Sequence, residues 1–405
     1  PVTGARTFPI YQTASYVFDD ADHAASLYNL QSPGFIYSRL SNPTVSVLQE
    51  RLATLEGGIG AICSSSGHSA QILALFPLMQ PGDNLIASTR LYGGTVQQFT
   101  NTIKKFGWSA NFVDVDDTDQ IPKLINSKTK AIFCESISNP GGHVTDLPKI
   151  SKVAKELSIP LIVDNTAATP YLCNPFKFGA DLIVHSTTKY ISGNGTSLGG
   201  AVIDSGKFNW TKNNRFPSLS EPEPGYHGLK FHDTFGPYAF IIYSIAVSLR
   251  DLGMTMAPQN AFHTLLGLET LSLRMKKHVS NAKRVAEWLN KHPEVEEVTY
   301  AGLKSSKYAN RVKKIYPKGA GALFTVALKG GYEACIKLIN NVNLFSHVSN
   351  LGDTRSLIIH PASTVHRQLT PEQQVKAGLA PNVLRLSIGI EDPIDLIKDL
   401  KQALE

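Results

Sequence analysis

Cysteine is scarce in this chain: four in 405 residues, Cys63, Cys134, Cys173 and Cys335, widely spaced and with no CxxC pair. That spacing argues against a disulfide framework or a zinc site and fits a reducing, cytoplasmic setting. No apolar run reaches the roughly 18 residues that would suggest a membrane span. The opening PVTGARTFPIY has no charged segment leading into an apolar stretch, so no signal peptide is expected. One-signed charge is also lacking, since 39 basic and 33 acidic residues leave only +6. The densest basic clusters, Lys276-Lys277-His278 and Arg311-Val312-Lys313-Lys314, read as solvated helix faces and not as a nucleic-acid footprint. There is no Walker lysine and no GxGxxG after the first strand, which disfavours nucleotide binding. No internal repeat is visible.

What is present is a chain able to bury a large core, with 42% hydrophobic and 18% charged residues. Its length allows two to three units. The first forty residues are rich in turn formers and tyrosine, and read as an arm lying over something else. Val47, Leu48, Arg51, Leu52 and Leu55 then recur at helical spacing until Gly57-Gly58. Beyond them, short apolar runs at 61–63, 84–87, 110–113, 131–134, 160–163 and 182–184 alternate with helical stretches. This predicts a mostly parallel α/β sheet covered on both faces, whose ligands bind at the carboxyl ends of the strands. Residues 206–235 read as irregular. Runs at 324–328 and 384–388, with a helix at 393–404, suggest a smaller α+β C-terminal domain. The expected division is an arm over 1–40, a large domain over 41–258 and a C-terminal domain over 259–405.

Polar groups cluster where the strand ends should lie. Lys189 follows an apolar strand and precedes ISGNGTSLGG; burial would lower its pKa and free the amine to form a Schiff base with an aldehyde. Asp164 closes another strand and could hold a ring nitrogen protonated, the division of labour seen in pyridoxal-phosphate enzymes. Ser65-Ser66-Gly67-His68, before a helix expected near Ser69, could cradle a phosphate on backbone N–H groups. Ser186 and Thr188 would face one side of an extended segment beside it. Tyr92 could stack on a flat ring, and Arg385 could grip a carboxylate with two parallel hydrogen bonds. Each has an ordinary alternative. Lys189 could be a surface lysine, Asp164 a helix cap or metal ligand, the serine segment a common turn, Tyr92 a packing residue and Arg385 a surface strand residue.

Their joint order, with YSRLSNPT, SSSGHSA, LYGGT, ESISNP, IVDNTAATPY, VHSTTKYISGNGTSLGGAVID, YHGLKFHDTFGPYAF, SNLGDTRSLIIHPASTVH and LRLSIGIED, resembles the Cys/Met-metabolism family of pyridoxal-phosphate enzymes over nearly the whole chain. The resemblance implies an aspartate-aminotransferase-like, fold type I architecture with pyridoxal 5′-phosphate as cofactor. It implies that Lys189 holds the cofactor, Asp164 pairs with its ring nitrogen and Tyr92 stacks on the ring and helps move protons. Gly67, His68, Ser186 and Thr188 match its phosphate cradle, and Asn139 the neighbour of its ring hydroxyl. Tyr37 and Arg39 match residues that reach the phosphate from a neighbouring subunit, with Tyr37 also near substrate. Asn350 and Arg385 match substrate-carboxylate positions. A homotetramer built from dimers is implied.

Within the family, Ser349-Asn350 stands where cystathionine-handling members tend to carry Glu-Ser, and Gly94 where methionine γ-lyases carry Cys. The sulfhydrylase branch fits better. It implies replacement of the acetate of O-acetyl-L-homoserine by sulfide or a small thiol. Cystathionine γ-synthase and γ-lyase chemistry remain alternatives on the same scaffold. A non-catalytic nucleic-acid-binding protein is the alternative from another class.

Overall fold

A computed structural model describes residues 3–367, 372, 374 and 378–405. Its larger sheet holds β1 (Gly60–Ser64), β2 (Asn84–Ser88), β3 (Ser109–Val113), β4 (Thr129–Glu135), β5 (Leu161–Asp164), β6 (Leu182–His185) and β7 (Gly200–Asp204). The order across the sheet is β1-β7-β6-β5-β4-β2-β3. Pairing is parallel from β3 through β2, β4 and β5 to β6. Strand β7 is antiparallel to both β6 and β1. Six strands therefore run the same way and deliver their carboxyl ends to one edge.

Helices bury both faces of this sheet, which is why its strands read as unbroken apolar runs. Successive residues feed opposite cores, as the two-residue period requires. Ile132 and Cys134 of β4 join one buried cluster, Ala131 and Phe133 the other. The helix Pro43–Glu56 packs Leu48 and Leu52 beneath the sheet. It begins where Asn42 accepts the Thr44 N–H at 3.0 Å and ends at Gly57, whose φ of 78° is left-handed.

The second sheet holds β8 (Val295–Thr299), β9 (Leu323–Leu328), β10 (Ser346–His347), β11 (Leu357–Ile359) and β12 (Val383–Ser387), in the order β10-β11-β12-β9-β8. Only β10 and β11 pair in parallel. Helices Leu271–Leu289, Gly331–Asn341 and Pro393–Leu404 accompany it.

Several sequence expectations need correction. The helix expected near Ser69 starts at Gly67, because Ser66 caps it by accepting the Ser69 N–H at 3.1 Å. The segment 187–190 is a turn and not extended, and the Thr188 hydroxyl bonds to the Gly199 carbonyl at 3.2 Å. The stretch 206–235 contains short helices, among them Pro217–Ser220 and Phe231–Phe235. His278 is not on a solvated face; it is buried, with Nδ1 2.7 Å from the Ile388 carbonyl oxygen. Arg311 is likewise engaged, donating to Asp116 at 2.8 Å and to the Val144 carbonyl at 2.7 Å. Strands β7, β8, β10 and β11 were not anticipated. In β8 exposed Glu296 and Glu297 interrupt the apolar pattern, while β10 and β11 have two and three residues.

Candidate active site

The common edge of the larger sheet opens into a cavity of about 190 Å³. Strands β4, β5 and β6 are neighbours, so the acids that end β4 and β5 and the turn that follows β6 meet there. Asp164 is the last residue of β5 and stands in register with Glu135, the last of β4. One Asp164 oxygen, Oδ1, accepts the Thr166 N–H at 2.9 Å. The other has no hydrogen-bond partner among the described residues, and Asp164 lines the cavity. Lys189 lies in the turn after β6, and its Nζ donates to Asn350 Oδ1 at 2.5 Å. Burial lowers its pKa to about 8, helped by the positive charge of Arg385.

Strand β1 leads into the helix Gly67–Leu75, whose first turn points unpaired N–H groups toward the same cavity. A Cβ on Gly67 would sit 2.7 Å from Ser186 Cβ. Only glycine lets this helix end approach Ser186 so closely. Ser186 and Thr188 both line the cavity, and the Ser186 N–H is held by the Thr166 hydroxyl at 2.8 Å. The ring of His68 stacks on Tyr92, centroids 5.9 Å apart and planes 25° apart. Burial lowers the His68 pKa against the pull of Asp164. Its Nε2 is buried without a partner among the described residues.

The second sheet closes the far side. Arg385, from the middle of β12, is only 3% exposed, which rules out the surface reading. It donates to Asn139 Oδ1 at 3.1 Å and to the Asn350 carbonyl at 2.7 Å. Its Nε is buried with no hydrogen-bond partner among the described residues. Burial lowers its pKa to about 10, still well above neutral, so the guanidinium stays charged.

Gly67, His68, Tyr92, Asn139, Asp164, Ser186, Thr188, Lys189, Asn350 and Arg385 thus line one cavity. Tyr37 and Arg39 do not. Both are exposed and line a separate cavity of about 750 Å³ beneath the N-terminal arm. There Arg39 lies 5.5 Å from the Tyr37 ring centre and donates to the Arg250 carbonyl. Sequence reasoning passed over several lining residues, among them Gln71, Thr95, Thr166 and the one acid of that group, Glu135. The signal was available, since an acid directly follows the apolar run 131–134 just as Asp164 follows 161–163.

Known proteins resemble this chain in sequence and fold. An O-acetyl-L-homoserine sulfhydrylase from Leptospira meyeri is 47% identical, the match covering 100% of this chain and 93% of that protein. A homocysteine synthase from Schizosaccharomyces pombe is 46% identical, over 100% of this chain and 94% of its own. Among solved structures, a Campylobacter jejuni chain described as an O-acetylhomoserine (thiol)-lyase superposes with a TM-score of 0.97 at 46% identity, covering 100% of this chain and 96% of that one. It carries N′-pyridoxyl-lysine-5′-monophosphate. A cystathionine gamma synthase from Xanthomonas oryzae pv. oryzae superposes with a TM-score of 0.84 at 34% identity, covering 99% and 93%. The family model described as Cys/Met metabolism PLP-dependent enzyme matches residues 1–405. With its fold type I architecture, this chain belongs to the Cys/Met metabolism family of PLP-dependent enzymes.

Proposed function

We propose that the cavity replaces the acetate of O-acetyl-L-homoserine by sulfide or a small thiol, giving L-homocysteine or methionine and free acetate. The observation that carries this reading is the convergence of Lys189, Asp164 and Arg385 on one small cavity. That set offers an amine, an anionic ring partner and a carboxylate grip together. The sulfhydrylase and homocysteine synthase relatives support it.

The residues present fit pyridoxal 5′-phosphate. The close approach of Gly67 to Ser186 forms a cradle that a Cβ would fill, and one Asp164 oxygen is left for a ring N–H. Gly67, His68, Ser186 and Thr188 would hold the phosphate, Asp164 the ring nitrogen, Asn139 the ring hydroxyl and Tyr92 one face of the ring. Bound there, the cofactor supplies an electron-withdrawing ring that lowers the cost of charge developing at the substrate α-carbon.

The chain's own groups do the rest. Lys189 would hold the cofactor through its Nζ. Burial and Arg385 lower the Lys189 pKa to about 8, which suits its Nζ to take and return the α-proton. Tyr92, close by, assists proton movement. Arg385 orients the substrate through its carboxylate, with Asn350 fixed between Arg385 and Lys189. The only carboxylates lining the cavity among the described residues are Glu135 and Asp164. No further acid stands beside Ser349-Asn350 to receive a distal ammonium, which favours a small nucleophile over cysteine. Acetate release with and without sulfide, methanethiol or cysteine, and with O-succinyl-homoserine as the rival donor, tests the reading. Acetate release that ignores sulfide, or turnover mainly with cysteine, would overturn it.

The same reading extends to assembly. Tyr37 and Arg39 serve the cavity of a neighbouring subunit in a homotetramer built from dimers. Their exposure and their distance from their own cavity support this, as does the 97% exposure of Val17 and 61% of Tyr28 on the arm. A division at 40 and 258 is supported only in that the two sheets lie within 60–204 and 295–387. All four cysteines are free and buried, which suits the reducing cytoplasm.

A further inference from the structure

Glu135 has no role in the scheme above, yet it stands in the cavity wall. It is 6% exposed and adjoins Asp164 across two paired strands. Each of its oxygens accepts one backbone N–H. Oε1 takes that of Tyr92 at 2.6 Å, and Oε2 takes that of Asn139 at 2.8 Å. The two donors belong to different loops, one after β2 and one after β4. Beyond those amides the loops do different work: the ring of Tyr92 faces the cavity, while the side chain of Asn139 receives Arg385. Burying a carboxylate beside a second one is costly. Burial and Asp164 push the Glu135 pKa well above its ordinary value, and only the two N–H donors pull it back. A residue that merely filled space here would carry no acid.

We propose that Glu135 is a positioning residue for the reaction: its carboxylate ties the Tyr92 loop to the Asn139 loop, so that the ring-stacking phenol and the substrate-gripping Arg385 are set as one unit. This rests on the cofactor occupying the cavity and not on which thiol reacts. Glutamine cannot replace it, because its single carbonyl oxygen serves one N–H while its NH2 group opposes the other. Aspartate keeps both acceptors but is one methylene shorter, so the loops must move toward it.

The test compares wild-type, Glu135→Gln and Glu135→Asp holoenzymes. The readouts are visible circular dichroism of the bound cofactor without substrate, cofactor stoichiometry, and kcat and KM. Glu135→Gln is expected to keep full stoichiometry, lose most of the visible dichroism and drop kcat about 100-fold, the scale of a small misplacement of reacting groups. Its KM for the amino-acid substrate should rise as well, through Asn139 and Arg385. Glu135→Asp should recover part of each. Wild-type dichroism and kcat in Glu135→Gln would overturn the proposal. Should that variant not fold, Glu135→Asp decides alone: a shifted band supports the clamp, and a band identical to wild type overturns it. The dichroism needs no substrate, so it stays readable even if wild-type enzyme fails to release acetate, a result that would count only against the reaction proposed.

Discussion

In the seven-stranded sheet the working groups stand at strand ends; in the five-stranded sheet Arg385 stands in the middle of β12. Parallel strands with adjacent ends gather Asp164, Glu135 and Lys189 at one edge without any long side chain having to reach. The antiparallel sheet has no such edge at the cavity. It contributes one long cation from a strand interior and the 349–351 segment that carries Asn350. One side of the cavity is therefore built from strand ends and the turns that follow them, each placed by its own strand. The other side depends on how the second sheet is docked against the first.

The sharpest way to break this comparison is at Lys189. Lys189→Ala should lower acetate release about 10,000-fold or more and remove the visible absorption of the holoenzyme. Retention of either would detach the cofactor from the parallel sheet. Next is the question of whether one chain suffices. Arg39→Ala and Lys189→Ala should each be nearly inactive alone. Unfolding and refolding them together should restore about a quarter of wild-type activity if each site draws on two subunits of a symmetric dimer. No recovery would confine the site to one chain.

On the other sheet, Arg385→Gln should cut kcat/KM about 100-fold through loss of a charged hydrogen-bonding partner, chiefly in KM. Its Asn139 partner would also be left without its donor. The two sheets are linked electrostatically as well. In apoenzyme the rate of cofactor recombination should rise with pH until about 8, as Lys189 loses its proton, and then level off. Burial is the larger cause of that low value and Arg385 the smaller. Arg385→Gln removes a charge that lowers the pKa, so the inflection should move upward. An inflection that does not move would mean the substrate side does not tune the lysine. The smallest effect is expected at Gly67→Ala, whose Cβ would lie 2.7 Å from Ser186 Cβ. Forcing that contact apart should weaken cofactor binding about tenfold, measured by equilibrium dialysis.

Much of the parallel sheet was legible because its central strands are buried on both faces and read as apolar runs. The short edge elements were not. Strand β8 hides behind exposed Glu296 and Glu297, and β10 and β11 are too short to show a period. Glu135 was overlooked because an acid after an apolar run looks like a strand terminus, and only its pairing beside Asp164 reveals a second buried carboxylate. In the two basic clusters Lys276, Lys277, Lys313 and Lys314 are exposed as expected, while His278 and Arg311 turn inward. Charge in sequence does not say which helix face meets a neighbour.

The sequence by itself determined the strand-end groups Asp164 and Lys189, the glycine that opens the first helix at the cavity, and the family pattern that joins them. These depend on spacing within a few residues, which the backbone converts directly into position. Tertiary structure alone decided that Arg385 is buried, that Glu135 holds two loops at once and that Tyr37 and Arg39 lie away from their own cavity. Most of those contacts join residues distant in the chain, such as Glu135 with Tyr92 and Arg385 with Asn139, and burial and charge proximity arise only when the packed elements bring them together.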